Sequence, residues 1–426
     1  MTSELPQSEP AEQALHPAMR LAILSCLLVI FALLIWSAGR AGLSSLLSSY
    51  AATTNQIAAA DAAVEFSQGD PEANYLRAAM RRENNDLVGA ITGYNQAVSL
   101  RPDDYVLWLS LARARSLNGD TDGALAASRQ AVKLAPYYAQ PRWQLGNLLL
   151  RAGEQDEAFK ELRLAGASNP TLLPAVIDLA WQLSDGDAQF VMQSIQPQTP
   201  ETYLAIAQNF RKRKAAVEAI AMYRSAGDIG KPDRGSYLSE LTLAKRFKEA
   251  YALWLLGHPA DLANAVGVIN DAGFEQESDL DEPGFGWRTA NKVVSLHLDT
   301  SAPEEGRSSL RVDFAGNSDP ASPVISQLLL VEPTTNYQLR FAARTEEIVS
   351  GGPPHLIIVD ANDNRVIAQS VEFPRQTAGW QYFTVDFNST ATTQAIQITL
   401  QRQQCSTSPC PIFGRVWLDN FSLQKH

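Results

Sequence analysis

The chain has 426 residues, 45% of them apolar, a formal net charge of -11 and a sequence pI near 5.1. That apolar share supports packed cores and excludes a disordered chain, and the length allows about three structural units at roughly 150 residues each. The acidic balance argues against nucleic acid as a partner, because phosphate recognition needs clustered Lys and Arg; sugars, peptides and cations fit it better.

Residues 1–20 form a polar, proline-containing tail. Residues 21–38 run 18 residues without a charge, and at about 1.5 Å per residue they cover roughly 27 Å, close to the hydrocarbon thickness of a bilayer. This predicts a transmembrane anchor; a buried core helix is disfavoured because nothing amphipathic precedes the run. A cleaved signal peptide is the alternative, since Arg20 stands before the run and Ser37, Ala38, Gly39 and Ala41 after it, but such peptides have apolar regions of only about 7–15 residues. Ile23-Leu24-Ser25-Cys26 looks like a lipoprotein cleavage box, yet most of the apolar run follows Cys26, so the cysteine reads as an ordinary membrane residue. Residues 39–55 read as a linker.

Pro102, Pro136 and Pro170 stand 34 residues apart, and each closes a segment with alanines at the same internal positions: Ala90 and Ala97, Ala124 and Ala131, Ala158 and Ala165. A fixed period of this length signals stacked helix pairs, because one pair cannot bury its apolar face alone. Small residues allow close helix crossings, and Asn85, Gly119 and Gly153 share a register that suits the left-handed turn joining two helices. With Trp108, Leu111 and Ala112 in the second repeat, Leu145 and Gly146 in the third, and Ala78 and Tyr94 in the first, the pattern resembles the tetratricopeptide repeat; Asn74 stands where that family prefers an aromatic residue. Beyond Pro170 the spacing returns at Tyr203, Ala207, Ala219, Tyr223 and Ala226, with a degraded pair over 173–193 and a shortened one over 237–254. Five or six helix pairs are expected within residues 56–265.

The resemblance implies a groove that holds a peptide or a protein partner. One subclass of the family grips C-terminal carboxylates with a clamp of Lys, Asn and Arg, but Tyr75, Ala79, Ser110, Gln140 and Gln144 occupy the corresponding places, which argues against that ligand. Arg77, Arg81, Arg82, Arg113 and Arg115 read either as a basic stripe or as ordinary solvated surface.

Near residue 270 the hydrophobic period changes from helical to alternating. Leu310, Val312 and Phe314 alternate with Arg311 and Asp313, Tyr337, Leu339 and Phe341 with Gln338 and Arg340, and Ile396, Ile398 and Leu400 with Gln397 and Thr399. Eight or nine such runs between Gly, Pro, Asn and Asp clusters predict an all-β sandwich or jelly roll over residues 271–426. Gly273-Phe274-Glu275, Gly286-Trp287, the run Gly306 to Val312, Gly379-Trp380-Gln381-Tyr382-Phe383 and the closing run Val416 to Leu423 resemble the jelly-roll carbohydrate-binding modules appended to polysaccharide-degrading enzymes. These motifs mark the scaffold more than a ligand.

Sugar recognition needs exposed aromatic rings flanked by polar groups. The candidates are Trp287, Tyr337, Trp380 and Tyr382, with Arg340 and Arg344 on a polar strand face; Trp417 reads as a core residue. Asp419, placed by alternation on one face with Trp417, Phe421 and Leu423, needs a partner there. The resemblance implies a structural calcium held by Glu275 and Asp419, the alternative being a hydrogen-bonded or salt-bridged Asp419; the acidic run Glu275, Glu277, Asp279, Asp281 and Glu282 is a further cation candidate or a solvated loop. Cys405 and Cys410, across a turn-rich Ser-Thr-Ser-Pro spacer and with no histidine or third cysteine near, suggest a disulfide, hence an extracytoplasmic C-terminal part.

No Walker loop, dinucleotide turn, His-Glu-x-x-His motif or nucleophile elbow occurs, and no catalytic cofactor is implied. The sequence thus points to a non-enzymatic scaffold anchored in a bacterial inner membrane, its C-terminal domains in the periplasm, with repeats binding a protein and the sandwich a glycan, in surface polysaccharide assembly or export. Two alternatives remain: a glycan-modifying enzyme with paired carboxylates in the sandwich, and a structural assembly factor whose sandwich docks on the last repeat around Trp254 and Leu256.

Overall fold

The structure, a computed structural model, describes residues 17–258, 266–276, 283–289, 294–316 and 319–426. It divides into two compact units, Met1–Gln196 and Pro197–His426. The regular elements among the described residues of the first unit are helices: α1 (Pro17–Thr54), α2 (Ile57–Phe66), α3 (Pro71–Glu83), α4 (Leu87–Leu100), α5 (Tyr105–Leu117), α6 (Thr121–Leu134), α7 (Ala139–Ala152), α8 (Gln155–Ser168), α9 (Leu173–Leu183) and α10 (Ala188–Ile195).

The repeat follows from local chemistry recurring every 34 residues. Asp70 and Asp104 cap α3 and α5 by accepting from Glu72 N–H (2.9 Å) and Val106 N–H (3.0 Å), while Asp86 and Asp120 cap α4 and α6 through Gly89 and Gly123 N–H, both at 2.9 Å. Each such cap contributes about 0.5–2 kcal/mol. In the third pair Tyr138 and Glu154 occupy these places without a side-chain cap. The turns inside the pairs hold Asn85, Gly119 and Gly153 at φ of 62°, 82° and 84°, the left-handed conformation that glycine adopts without steric cost. Ala90, Ala97, Ala124, Ala131, Ala158 and Ala165 are all fully buried at the crossings.

Gly146 tests this packing. A Cβ there would lie 2.6 Å from Leu162 Cγ, and Leu162 is itself fully buried with nowhere to retreat. Gly146→Ala is expected to destabilise the chain by about 1–3 kcal/mol, the usual cost of overpacking, read as a lowered thermal midpoint; an unchanged midpoint would show that the α7–α8 contact is loose.

The apolar run lies within α1, a helix long and apolar enough to cross a membrane, and its side chains from Leu21 to Trp36 are exposed wherever described. The structure corrects the expected linker at 39–55, which continues α1 to Thr54. Its Ser and Ala residues pack closely on α2: Ser44 and Ala51 are fully buried, Ser44 Oγ donates to Ala63 O at 2.8 Å, and Arg40 Nε donates to Phe66 O at 2.7 Å. The apolar helix therefore runs without a break into the segment that packs on α2.

The second unit opens with α11 (Pro200–Lys212), α12 (Ala216–Ala226), α13 (Lys231–Leu243) and α14 (Phe247–Trp254), which complete six helix pairs from α3 onward. Arg211 fastens α11 to α13 by bonding Asp233 at 2.8 Å, Ser236 and Glu240, and Asp233 in turn accepts from the Tyr223 hydroxyl of α12. Among the described residues ten strands follow: β1 (Arg288–Thr289), β2 (Ser295–Asp299), β3 (Ser309–Ala315), β4 (Ile325–Leu330), β5 (Asn336–Ser350), β6 (Pro354–Asp360), β7 (Arg365–Gln369), β8 (Ala378–Asn388), β9 (Ala395–Arg402) and β10 (Ile412–Lys425).

They form two five-stranded antiparallel sheets, ordered β1-β4-β9-β6-β7 and β2-β3-β10-β5-β8, packed as a sandwich. Leu310, Val312, Leu339, Phe341, Ile396, Ile398, Val416 and Leu418 fill the space between them. At one end Arg402 is buried and donates to Cys410 O (2.9 Å), Ser350 Oγ (3.0 Å) and Gly352 O (3.3 Å). These bonds hold the segment closed by the Cys405–Cys410 disulfide, whose Cα atoms are 5.7 Å apart.

The two sheets differ in what covers their outer faces. The first is met by the last helix pair: Tyr251 and Trp254 of α14 pack on Phe285, with ring centroids 4.8 and 5.9 Å away, and Lys245 Nζ donates to Ala361 O at 2.8 Å. A cavity of about 430 Å³ remains there, with Leu238, Thr242, Arg288, Ser326, Asn364 and Gln397 in its wall. The second sheet turns its outer face to solvent at β8, where Tyr382 is 46% exposed.

Candidate functional site

Four of the six residues expected to meet a glycan come together on that second outer face. Along β5 the side chains of Leu339, Phe341 and Ala343 enter the core, which leaves Arg340 and Arg344 outward. On β8 the same alternation buries Phe383 and turns Trp380 and Tyr382 outward. Register then sets the neighbours: Ala342 is opposite Tyr382, and Arg344 is opposite Trp417 of β10. The Arg344 guanidinium lies 4.0 Å from the Trp417 ring centroid and 5.6 Å from that of Trp380, while Arg340 sits 4.0 Å over Tyr382. The face is a row of rings interleaved with cations, each contact contributing about 0.5–2 kcal/mol.

Trp287 and Tyr337 are elsewhere, each only 1% exposed. Trp287 packs between Phe274 and Phe421, with centroids 5.1 and 4.9 Å away, and donates Nε1–H to Asp271 O. Tyr337 stacks on Phe387 at 5.4 Å, and its hydroxyl accepts from Glu332 N–H at 2.9 Å. Both are core residues with satisfied polar ends, which corrects their assignment as sugar platforms.

Trp417 is corrected in the opposite sense. It belongs to the outer face, covered by its neighbours, and its Nε1–H donates to Asp299 Oδ2 at 2.7 Å. A β-bulge between Asp419 and Ser422, with Asn420 at φ 47°, shifts the phase of β10. Trp417 and Asp419 therefore point away from the core that Phe421 and Leu423 join. Sequence alternation carried through the bulge had put all four on one side.

A polar frame surrounds the rings. The hydroxyl of Tyr382 donates to Glu304, and Asn420 Nδ2 donates to Glu304 Oε2 (2.9 Å) and Glu305 Oε2 (2.8 Å). Trp380 Nε1–H donates to Ala302 O at 3.1 Å. Asp419 anchors the same loop from below: its Oδ2 accepts from Glu304 N–H (2.9 Å) and Glu305 N–H (3.3 Å), and Oδ1 from Asn420 N–H (2.7 Å). Burial raises the Asp419 carboxyl above its ordinary range while these three N–H groups pull it down.

Glu275 and Asp419, the residues expected to hold a structural calcium, both accept backbone N–H groups in this structure. Glu275 accepts from Arg307 N–H at 2.8 Å, which is the first cause of its lowered pKa. Calcium takes about 6–8 oxygen ligands, and among the described residues no group of three or more His, Cys, Asp or Glu stands together to hold a metal ion. Glu277, Asp279, Asp281 and Glu282 lie outside the described residues.

Asp299 ties β2 to this face. The Ser301 hydroxyl, then the Trp417 N–H, then the Ser301 backbone N–H hold its carboxyl down at about 2, against 3.8 for an unperturbed group. A depressed carboxyl stabilises the fold above its unfolded pKa and loses that contribution as pH falls toward its folded one. Asp299→Asn is thus expected to be less stable than the parent at neutral pH, with the difference closing between about pH 4 and 2 in acid-unfolding profiles. Parallel profiles over that window would contradict it.

In the repeats, Arg113, Ser116, Gln140, Trp143, Gln144 and Asn147 wall a cavity of about 480 Å³ on α5 and α7. Gln140 and Gln144 of the non-matching clamp positions are thus in the groove, whereas Tyr75 and Ala79 pack against the buried cluster around Tyr94. The basic stripe is not continuous. Arg81 pairs with Asp61 at 2.9 Å, Arg115 approaches Asp120 at 3.9 Å, and Arg77 donates to Asn74, so only Arg113 of the five lines the cavity.

No family model and no curated protein matches this chain. Among solved structures it is similar to MamA, at 15% identity over 42% of this chain and 91% of that one with a TM-score of 0.30. The form of MamA from residue 41 onward from Desulfovibrio magneticus RS-1 matches at 15% identity over 37% and 94%, with a TM-score of 0.32. YrrB, described as a TPR protein with an unusual peptide-binding site, matches at 18% identity over 47% and 89%, with a TM-score of 0.28.

Proposed function

We propose that this chain is a non-enzymatic scaffold that α1 anchors in a bacterial inner membrane, with its repeats holding a protein partner and its sandwich presenting a glycan-binding face in the periplasm. The observation that carries the glycan half is the unequal use of the two sheets: one outer face is taken by the last helix pair, while the other exposes Tyr382 beside Trp380, Arg340 and Arg344. Rings supply the stacking surface for a pyranose, and Glu304, Asn420 and the arginines supply partners for its hydroxyls. The groove walled by Trp143, Gln144, Asn147 and Arg113 supplies a mixed aromatic and polar surface of the kind that holds an extended peptide. A membrane helix, a protein-binding array and a glycan-binding face together suit surface polysaccharide assembly or export.

Affinity electrophoresis of the detergent-solubilised full chain through gels loaded with different polysaccharides tests the glycan half. At least one polysaccharide should retard the parent, and Trp380→Ala and Tyr382→Ala should each restore free migration. Equal migration of all three in every gel would favour the structural alternative, for which the Trp254–Phe285 contact is the supporting observation.

A further inference from the structure

We infer that the ligand of this face is an acidic polysaccharide, one that carries carboxylates on its sugars, as uronates do; the inference rests on the glycan reading of the same face. Four arginines stand on the outer side of the β2-β3-β10-β5-β8 sheet, and they fall into two classes. Arg311 is neutralised by Asp313 at 3.1 Å and Asp299 at 3.7 Å, and Arg415 by Glu346 at 2.8 Å and Asp313 at 3.4 Å. Arg340 and Arg344 have no carboxylate within 4.0 Å among the described residues, and their recorded partners are the rings of Tyr382, Trp380 and Trp417.

A guanidinium stacked on a ring keeps its N–H edge free in the plane, pre-set for bidentate pairing with a carboxylate. Arg344 Nε is buried without a hydrogen-bond partner, so the terminal Nη–H groups of this half-buried residue are the donors a ligand carboxylate can reach. The carboxylates beside this face are already engaged: Glu304 by Tyr382 and Asn420, Glu305 by Asn420, and Asp299 by Trp417 and Ser301. Arg340 and Arg344 are four residues apart on one strand face, about 13 Å, which places them against different sugars of one chain.

The net charge of -11 sharpens the point. A chain so acidic repels polyanions at long range, so a preference for an acidic glycan has to come from local, uncompensated cations at the site. These two arginines are the local cations that adjoin the exposed Tyr382 and the half-buried Trp380.

The test uses the detergent-solubilised full chain and titrates oligogalacturonate, oligomannuronate and oligoglucuronate, the carboxyl-reduced neutral form of each, and poly-glutamate. At least one uronate should bind, with its reduced form at least about 10-fold weaker, one lost charge-assisted contact being worth about 1.5–3 kcal/mol. Arg340→Gln and Arg344→Gln should each lower uronate affinity by a similar factor without changing the neutral form, whereas Trp380→Ala should weaken both. Melting curves matched to the parent qualify each variant, and Arg340→Gln, at an exposed position, keeps the test intact if Arg344→Gln unfolds. Equal binding of uronate and reduced oligomers would overturn the inference and leave the glycan reading standing. Poly-glutamate binding as tight as uronate would also overturn it, by marking a general anion patch. Binding of no oligosaccharide, acidic or neutral, would remove both.

Discussion

Trp254→Ala is expected to lower unfolding free energy by about 3–5 kcal/mol, the range for deleting a large buried aromatic side chain. Trp254 is only 5% exposed, stacks on His258 at 3.7 Å, and meets Tyr251 and Phe285 at 5.6 and 5.9 Å. Gly284 shows how close the fit is, since a Cβ there would lie 2.3 Å from Trp254 Cδ1. This ring joins the last helix pair to the sandwich, so its loss should do more than lower a midpoint. In guanidinium, helical and sheet signals of residues 197–426 should unfold together in the parent and separately in the variant. Coincident transitions in both would mean that the contact contributes little.

Asp419→Ala should cost about 3 kcal/mol or more. Three backbone N–H groups would lose their acceptor, at about 1–3 kcal/mol each, offset in part by removing a buried charge. The effect extends to function, because two of those donors belong to Glu304 and Glu305, whose loop frames Tyr382 and Asn420. A lowered denaturation midpoint together with weakened oligosaccharide binding is expected. Lost stability with unchanged binding would show that the loop is positioned by Trp380 and Tyr382 alone.

Much of the helical part is legible in the sequence because its causes are local. The alanines, the turn residues Asn85, Gly119 and Gly153, and the 34-residue spacing all reappear as crossings and left-handed turns in α3 to α8. The degraded and shortened pairs at 173–193 and 237–254 also appear, as α9–α10 and α13–α14. The segment at 39–55 misleads because Gly39, Gly42 and its serines look like linker chemistry. A small hydroxyl that bonds a carbonyl of the neighbouring helix across a close contact, as Ser44 does with Ala63, is equally good packing material.

In the sandwich, alternation predicts strands but not what a bulge does to them. Asn420 reverses the phase of β10, which moves Trp417 onto the outer face and places Asp419 over backbone donors. Trp287 and Tyr337 show the other limit: sequence identifies an aromatic residue with a polar end, but not whether a carbonyl or an N–H inside the fold will satisfy it, as Asp271 O and Glu332 N–H do. The candidate face was therefore visible as single residues and not as a cluster, since its cohesion depends on the register of β8, β5 and β10.

The central claim is that the two outer faces of the sandwich have different tasks, one docked on helices and one open to a glycan. Hydrogen exchange of the full chain with and without a saturating oligosaccharide tests it most directly. Slowed exchange is predicted in the 300–308 loop and the edge strand β8, with α13, β4 and β9 unchanged. Slowed exchange in the α5–α7 groove alone, or none in β8 and the loop with any glycan that binds, would contradict the account.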